Sequence, residues 1–210
     1  MLNVFVDGAL KADRTLILAH GAGVGKEHYF MNFFASELAT DQFRVVRFDF
    51  PYMARARLTG KKIPPDRQIT LIASWQETIS KFRTKELIIG GKSLGGRIAS
   101  MIADTEGADG LVCLGYPFHA PGKLDNPRVE HLRSLQTPTL ICQGTRDPFG
   151  NKNDVGTYKL SEKIFFNWVK DGDHSFKPRK SSGLTEADNL SMSLKAVETF
   201  SQNLFEDKKR

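Results

Sequence analysis

The chain has 210 residues, 40% of them hydrophobic, and a formal net charge of +6. A chain of this length hides roughly 70–75% of its unfolded surface and can build a core without staples. No apolar run approaches the ~20 residues needed to span a bilayer, no basic n-region precedes a long apolar core, and no nucleic-acid motif accompanies the basic clusters "RARLTGKK", "KPRK" and "DKKR". The expectation is therefore one soluble, cytoplasmic domain over residues 1–210, with no nucleic acid or membrane as partner and with oligomeric state left open.

In chain order, Asn3–Val6 reads as an edge strand turned by Asp7-Gly8, and Thr15–Ala19 as a short apolar strand that ends in "HGAG". The stretch 27–40 has helical periodicity, with Phe30, Phe33, Phe34 and Leu38 on one face. Phe43–Phe48 is the next strand, and a basic, proline-containing loop is expected over residues 51–66. A helix over 68–82 and a strand over 86–90 follow, then a helix over 96–104 and a strand over 110–115. A short helix is expected over 128–135, strands over 138–143 and 164–169, and a closing helix over 188–204. Strands separated by helix-length segments imply a mostly parallel sheet with helices on both faces. Cys113 and Cys142 fall in apolar strands and read as reduced core thiols.

The stretch "ELIIGGKSLGGRIAS" holds two signatures. Gly-Lys-Ser ends a phosphate-binding loop, but such a loop needs a further glycine where this chain has Glu86, and the intervening Leu87–Ile89 is an apolar strand. G-x-S-x-G over 91–95 fits its surroundings of strand, sharp turn and helix. In open α/β sheets ligands sit at the carboxyl ends of strands. Three further segments past strand ends carry chemistry: "HGAG" over 20–23, "GTRDPFG" with Asp147, and "KDGDHSF" with His174. A serine hydroxyl needs a base to attack at neutral pH. Histidine can take its proton and return it to the leaving group, and an ionised aspartate holds the imidazole in the useful tautomer. Ser93, His174 and Asp147 are thus the candidate nucleophile, base and acid. The backbone N–H groups of Leu94 and Ala22 are the candidate oxyanion donors. Asp171, Asp173 and Asp154 are the rivals for the acid. Lys92 and His119 are candidates for substrate binding, Lys92 alternatively pairing a nearby carboxylate, and His20 reads as structural.

With "LILAHGAG", "GGKSLGGRIAS", "GYPFHAPGK", "QGTRDPFG" and "GDHSF" in this order, the chain resembles the α/β-hydrolases over essentially its whole length. It is similar to the small lidless group related to the NSL complex subunit 3 family. The resemblance implies a minimal single-domain α/β-hydrolase fold, a Ser-His-Asp triad and no cofactor or metal. Residues 116–137 are too few for the cap domain of larger members, and the N-terminus is too short for their first strands and hairpin. The expected activity is a carboxylesterase-like serine hydrolase acting on a small or medium soluble ester, thioester or amide. The alternative is a non-catalytic interaction module that keeps the fold.

Overall fold

The computed structural model describes residues 3–206. One seven-stranded sheet organises them, built from β1 (Val4–Asp7), β2 (Arg14–Ala19), β3 (Phe43–Phe48), β4 (Glu86–Lys92), β5 (Gly110–Leu114), β6 (Thr139–Gly144) and β7 (Ile164–Val169). The spatial order is β1-β3-β2-β4-β5-β6-β7, with β1 antiparallel to β3 and the other pairings parallel.

A strand covered on both faces must be apolar on both, and the central strands are. Leu16 and Leu18 of β2 pack with Phe30 and Phe34 of α1 (Tyr29–Leu38) and with Val197 and Phe205 of α6 (Glu186–Glu206). Ile17 and Ala19 belong to the opposite cluster, with Trp75 and Ile79 of α3 (Gln68–Phe82) and Ile98 of α4 (Leu94–Ser100). The two-residue alternation of the strands thus divides the core into two layers. Cys113 and Cys142 are both free and buried, and burial pushes the Cys142 thiol up to about 12.

Four stretches depart from the sequence reading. The expected loop after β3 begins as a helix, α2 (Pro51–Thr59). Pro51 supplies a pre-set φ in the first turn, and Gly60 closes the helix in the left-handed region at φ 66°. The expected helix over 128–135 contains only a 3₁₀ turn, Glu130–Leu132. The elbow helix starts directly after Ser93 and ends at Ser100, and a four-residue α5 (Lys152–Val155), capped by Asn151, follows β6. Between β5 and β6 that 3₁₀ turn is the sole regular element, so nothing there caps the sheet. No helix among the described residues is long and apolar enough to cross a membrane.

The strand order reverses between β2 and β4, which lie side by side although β3 separates them in sequence. In open α/β sheets the carboxyl ends of the strands at such a switch point are where ligands bind. Ala19 pairs with Gly91 there, so "HGAG" leaves the sheet beside Ser93. A Cβ on Gly91 would lie 2.0 Å from the Ala19 carbonyl oxygen, and one on Gly95 would lie 2.2 Å from the same atom. Gly91 also sits at φ 149°, where side chains are strained. Gly91→Ala should therefore cost about 3 kcal/mol or more of stability. Denaturant unfolding of wild type and variant reads this directly, and a loss below about 1 kcal/mol would mean that the two strands can part without penalty.

Candidate active site

Ser93 lies between β4 and α4 with φ 50° and ψ −112°. A non-glycine residue with positive φ is strained by about 1–3 kcal/mol and persists only where its surroundings impose it. Here the imposing contacts are the Ser93 N–H donating to the Leu114 carbonyl (3.1 Å) and the Ser93 carbonyl accepting from Arg97 N–H (2.9 Å). The turn thereby lifts the side chain out of the sheet's end.

His174 follows β7 and reaches back to the same point. Its Nε2 is 2.9 Å from Ser93 Oγ, and its Nδ1 is 2.7 Å from Asp147 Oδ2. An ionised carboxylate has no proton to give, so Nδ1 carries the hydrogen and Nε2 turns its lone pair towards the serine hydroxyl. Asp147, fully buried in the turn after β6, also accepts from Phe149 N–H at Oδ1 (2.8 Å) and from the Gln143 amide at Oδ2 (3.0 Å). Phe149 covers the imidazole, with ring centroids 4.3 Å apart. Burial is the largest influence on His174 and lowers its pKa below the ordinary 6.5; the Asp147 hydrogen bond opposes this, and the Lys92 cation adds to it.

The rival carboxylates are engaged elsewhere. Asp171 pairs with Arg179 at 2.6 Å, which holds it down to about 2. Asp173 accepts from the N–H groups of Ser175 and Lys177 and shapes the turn that carries His174. Asp154 lies 3.3 Å from His119 Nε2 and closes the cap of α5.

Two of the expected substrate-binding side chains do not face an open surface. Lys92, the last residue of β4, runs beneath the elbow and donates to the His174 carbonyl oxygen at 2.5 Å, so it neither pairs a carboxylate directly nor reaches an external ligand. His119 is buried, with both ring nitrogens occupied, by the Ala120 carbonyl (3.0 Å) and Asp154.

"HGAG" is held from behind. His20 is wholly buried, its Nδ1 at 2.7 Å from the Gly21 carbonyl and its Nε2 accepting from Phe50 N–H at 3.1 Å. Burial lowers its pKa, in keeping with a neutral ring. The Tyr52 hydroxyl of α2 donates to the Ala22 carbonyl at 3.2 Å. Beyond the turn, buried Asp49 accepts from Lys26 Nζ (3.0 Å), Lys26 N–H (2.9 Å) and Arg57 (2.8 Å). The glycine turn is thus clamped between β3, α2 and the sheet. Tyr52, Gln143 and Phe149 are absent from the sequence reading. Gln143 had a signal, an amide that interrupts the apolar run "TLICQG".

No group of three or more potential metal-ligating side chains gathers among the described residues. Solved structures with the same fold include an alpha-beta serine hydrolase homologue from Coxiella burnetii, at 17% identity and TM-score 0.69, over 97% of this chain and 91% of that one. Est1E from Butyrivibrio proteoclasticus matches at 12% identity and TM-score 0.71, over 97% and 94%. A serine hydrolase without lid from Xanthomonas campestris matches at 18% and 0.64, over 95% and 89%. Residues 12–202 match the family model described as "Alpha/beta hydrolase domain". The chain therefore belongs to the α/β-hydrolase family, and it carries the fold without a cap.

Proposed function

We propose that the protein is a serine hydrolase of carboxylesterase type that acts on soluble esters, thioesters or amides of small or medium size. The observation that carries this reading is the continuous hydrogen-bond path Ser93 Oγ, His174 Nε2, His174 Nδ1, Asp147 Oδ2, with spacings of 2.9 and 2.7 Å. In the reaction, His174 Nε2 takes the Ser93 proton as Oγ bonds to the substrate carbonyl carbon, whose oxygen becomes an oxyanion. The N–H of Leu94, which opens α4 and has no acceptor within the helix, and the N–H of Ala22 stabilise that charge. Imidazolium returns the proton to the leaving group as its bond to carbon breaks, and an acyl-Ser93 ester remains. Water, deprotonated by His174, then attacks the acyl carbon, and His174 returns that proton to Ser93 Oγ as the bond from Oγ to the acyl carbon breaks, releasing the acid and free Ser93. Asp147 stays ionised throughout and offsets the imidazolium charge.

Carboxylic esters are the favoured substrates, because a site without a cap admits varied acyl groups and an ester needs less leaving-group assistance than an amide. Neighbours with this fold include an esterase domain from Rhodothermus marinus, which is in keeping with the reading. The test is labelling by a fluorophosphonate together with a p-nitrophenyl ester series of increasing acyl length. A folded wild type that neither labels nor turns over any ester would remove the proposal.

The lowered pKa of His174 has a consequence for activity. Only the neutral imidazole accepts the serine proton, so activity is present above this pKa and lost as pH falls through it. The acid limb of kcat/KM should fall to half at a pH below 6.5. A pH–rate profile on a p-nitrophenyl ester gives the value, and a half-point clearly above 7 would contradict the buried environment described for the ring.

A further inference from the structure

Lys92 is a buried cation that the reaction sequence does not use. It is 7% exposed, in the residue just before the nucleophile. Its ammonium lies 5.5 Å from the ring centre of Phe30 and 6.0 Å from that of Phe176, two fully packed rings. It donates to the main-chain oxygen of His174. The fold makes room for this contact, since a Cβ on Gly115 would lie 2.8 Å from Lys92 Nζ and 2.9 Å from the His174 oxygen. A buried ammonium costs several kcal/mol unless it is compensated. Here one carbonyl, two aromatic faces and two carboxylates at longer range, Asp147 and Asp173, are the compensation. A methionine or leucine would fill the same volume without that cost.

We infer that Lys92 is a positioning residue for the reaction, its ammonium fixing the main chain of His174 from below the elbow and disfavouring a second positive charge on the imidazole. The inference rests on the reading of Ser93 and His174 as nucleophile and base. The turn that carries His174 is strained, with Phe176 at φ 69°, and its other ties include Asp173 to Ser175 and Lys177, Arg146 N–H to the Gly172 carbonyl, the Arg146 guanidinium to the Asp171 carbonyl, and Asn189 to the Phe176 carbonyl. Lys92 joins the main chain of this turn to the end of β4 just before Ser93, alongside the side-chain contact of His174 Nε2 with Ser93 Oγ, so it bears on the Ser93–His174 separation from the main-chain side. Its charge acts on the same ring. The charged groups that face the imidazole are Asp147 and Asp173, which favour imidazolium, and Lys92, which opposes it. Burial pushes Lys92 itself down to about 8, so it is a cation through the range in which His174 titrates.

The experiment is a comparison of wild type, Lys92→Met and Lys92→Arg by two measurements. The first is an NMR titration of the His174 ring, assigned among the five histidines by its loss in His174→Gln. Lys92→Met removes the cation and should raise the His174 pKa by roughly one unit, given unit charges a few ångströms apart in a protein interior. Lys92→Arg keeps the charge and should leave the titration within about 0.3 units of wild type. The second is ester hydrolysis, in which Lys92→Met should lower kcat roughly 10- to 100-fold with KM little changed, as expected when a reacting group is held off its position. A Lys92→Met chain that does not give a cooperative melt is replaced by Lys92→Gln, read against the same titration. An unmoved His174 titration in a folded variant that lacks the charge, or equal movement in Met and Arg variants, overturns the inference. The titration reads the ring directly, so it decides the matter even for a protein that hydrolyses nothing, whereas failure of the hydrolase reading appears separately as an inactive, unlabelled wild type.

Discussion

Ser93→Ala is expected to lower turnover on the best p-nitrophenyl ester by on the order of 10⁶-fold, the loss seen when the nucleophile of a serine triad is removed. The same change should abolish fluorophosphonate labelling and leave the melt of the protein unimpaired. The reason is that alanine removes Oγ alone and keeps the backbone that β4 and α4 impose on this position. Ser93→Gly extends the test. It should be equally inactive yet more stable by about 1 kcal/mol, because glycine relieves the strain at φ 50°. A Ser93→Ala variant that keeps most of its activity would show that another group attacks the substrate. A Ser93→Gly variant no more stable than wild type would show that the elbow stores little strain.

Asp147→Asn should lower kcat by about 10⁴-fold with KM nearly constant, as the loss of the carboxylate does in serine triads. The carboxylate accepts from His174 Nδ1, the Gln143 amide and Phe149 N–H. An asparagine in its place has one oxygen for these three donors and brings an NH₂ group of its own. The imidazole can answer by moving its proton to Nε2, which turns a donor towards Ser93 and removes the base. Asp171→Asn and Asp154→Asn are the controls, since their carboxylates bind Arg179 and the α5 cap. Losses of similar size in either control would mean that the acid is misassigned; steady-state kinetics on the three purified variants separates the cases.

Ser93 and Asp147 are residues whose types were legible from the sequence. Strands separated by helix-length segments gave the parallel sheet, and the chemically loaded turns past four of the strand ends gave the candidates Ser93, Asp147 and His174. Strand-buried runs such as "ELIIG" are recognisable because a parallel strand is apolar on both faces, and G-x-S-x-G is recognisable because close approach to Ala19 leaves no room for a side chain at Gly91 or Gly95. These are local constraints, and local sequence expresses them.

What needed the tertiary structure is of another kind. α2 carried its own signals, Pro51 at the start and Gly60 after the end, but it buries little beyond Tyr52 and so lacks the apolar periodicity by which helices are found. The expected helix over 128–135 failed for the converse reason: its apolar residues Val129, Leu132 and Leu135 meet the core from an irregular segment that includes one short 3₁₀ turn. The roles of Gln143, Tyr52 and Phe149 depend on contacts between segments that the chain separates. Lys92 is the clearest case. The sequence puts a cation beside the nucleophile and so suggests a paired carboxylate or an anionic ligand, whereas the alternation of β4 sends the side chain beneath the elbow, to a carbonyl 82 positions away. The sequence by itself determined the fold class and which residue types could do the chemistry, because apolar periodicity and tight turns are properties of neighbours along the chain. The tertiary structure alone decided which side of the sheet each charged side chain enters and what it meets there, because burial and hydrogen-bond partners are properties of neighbours in space.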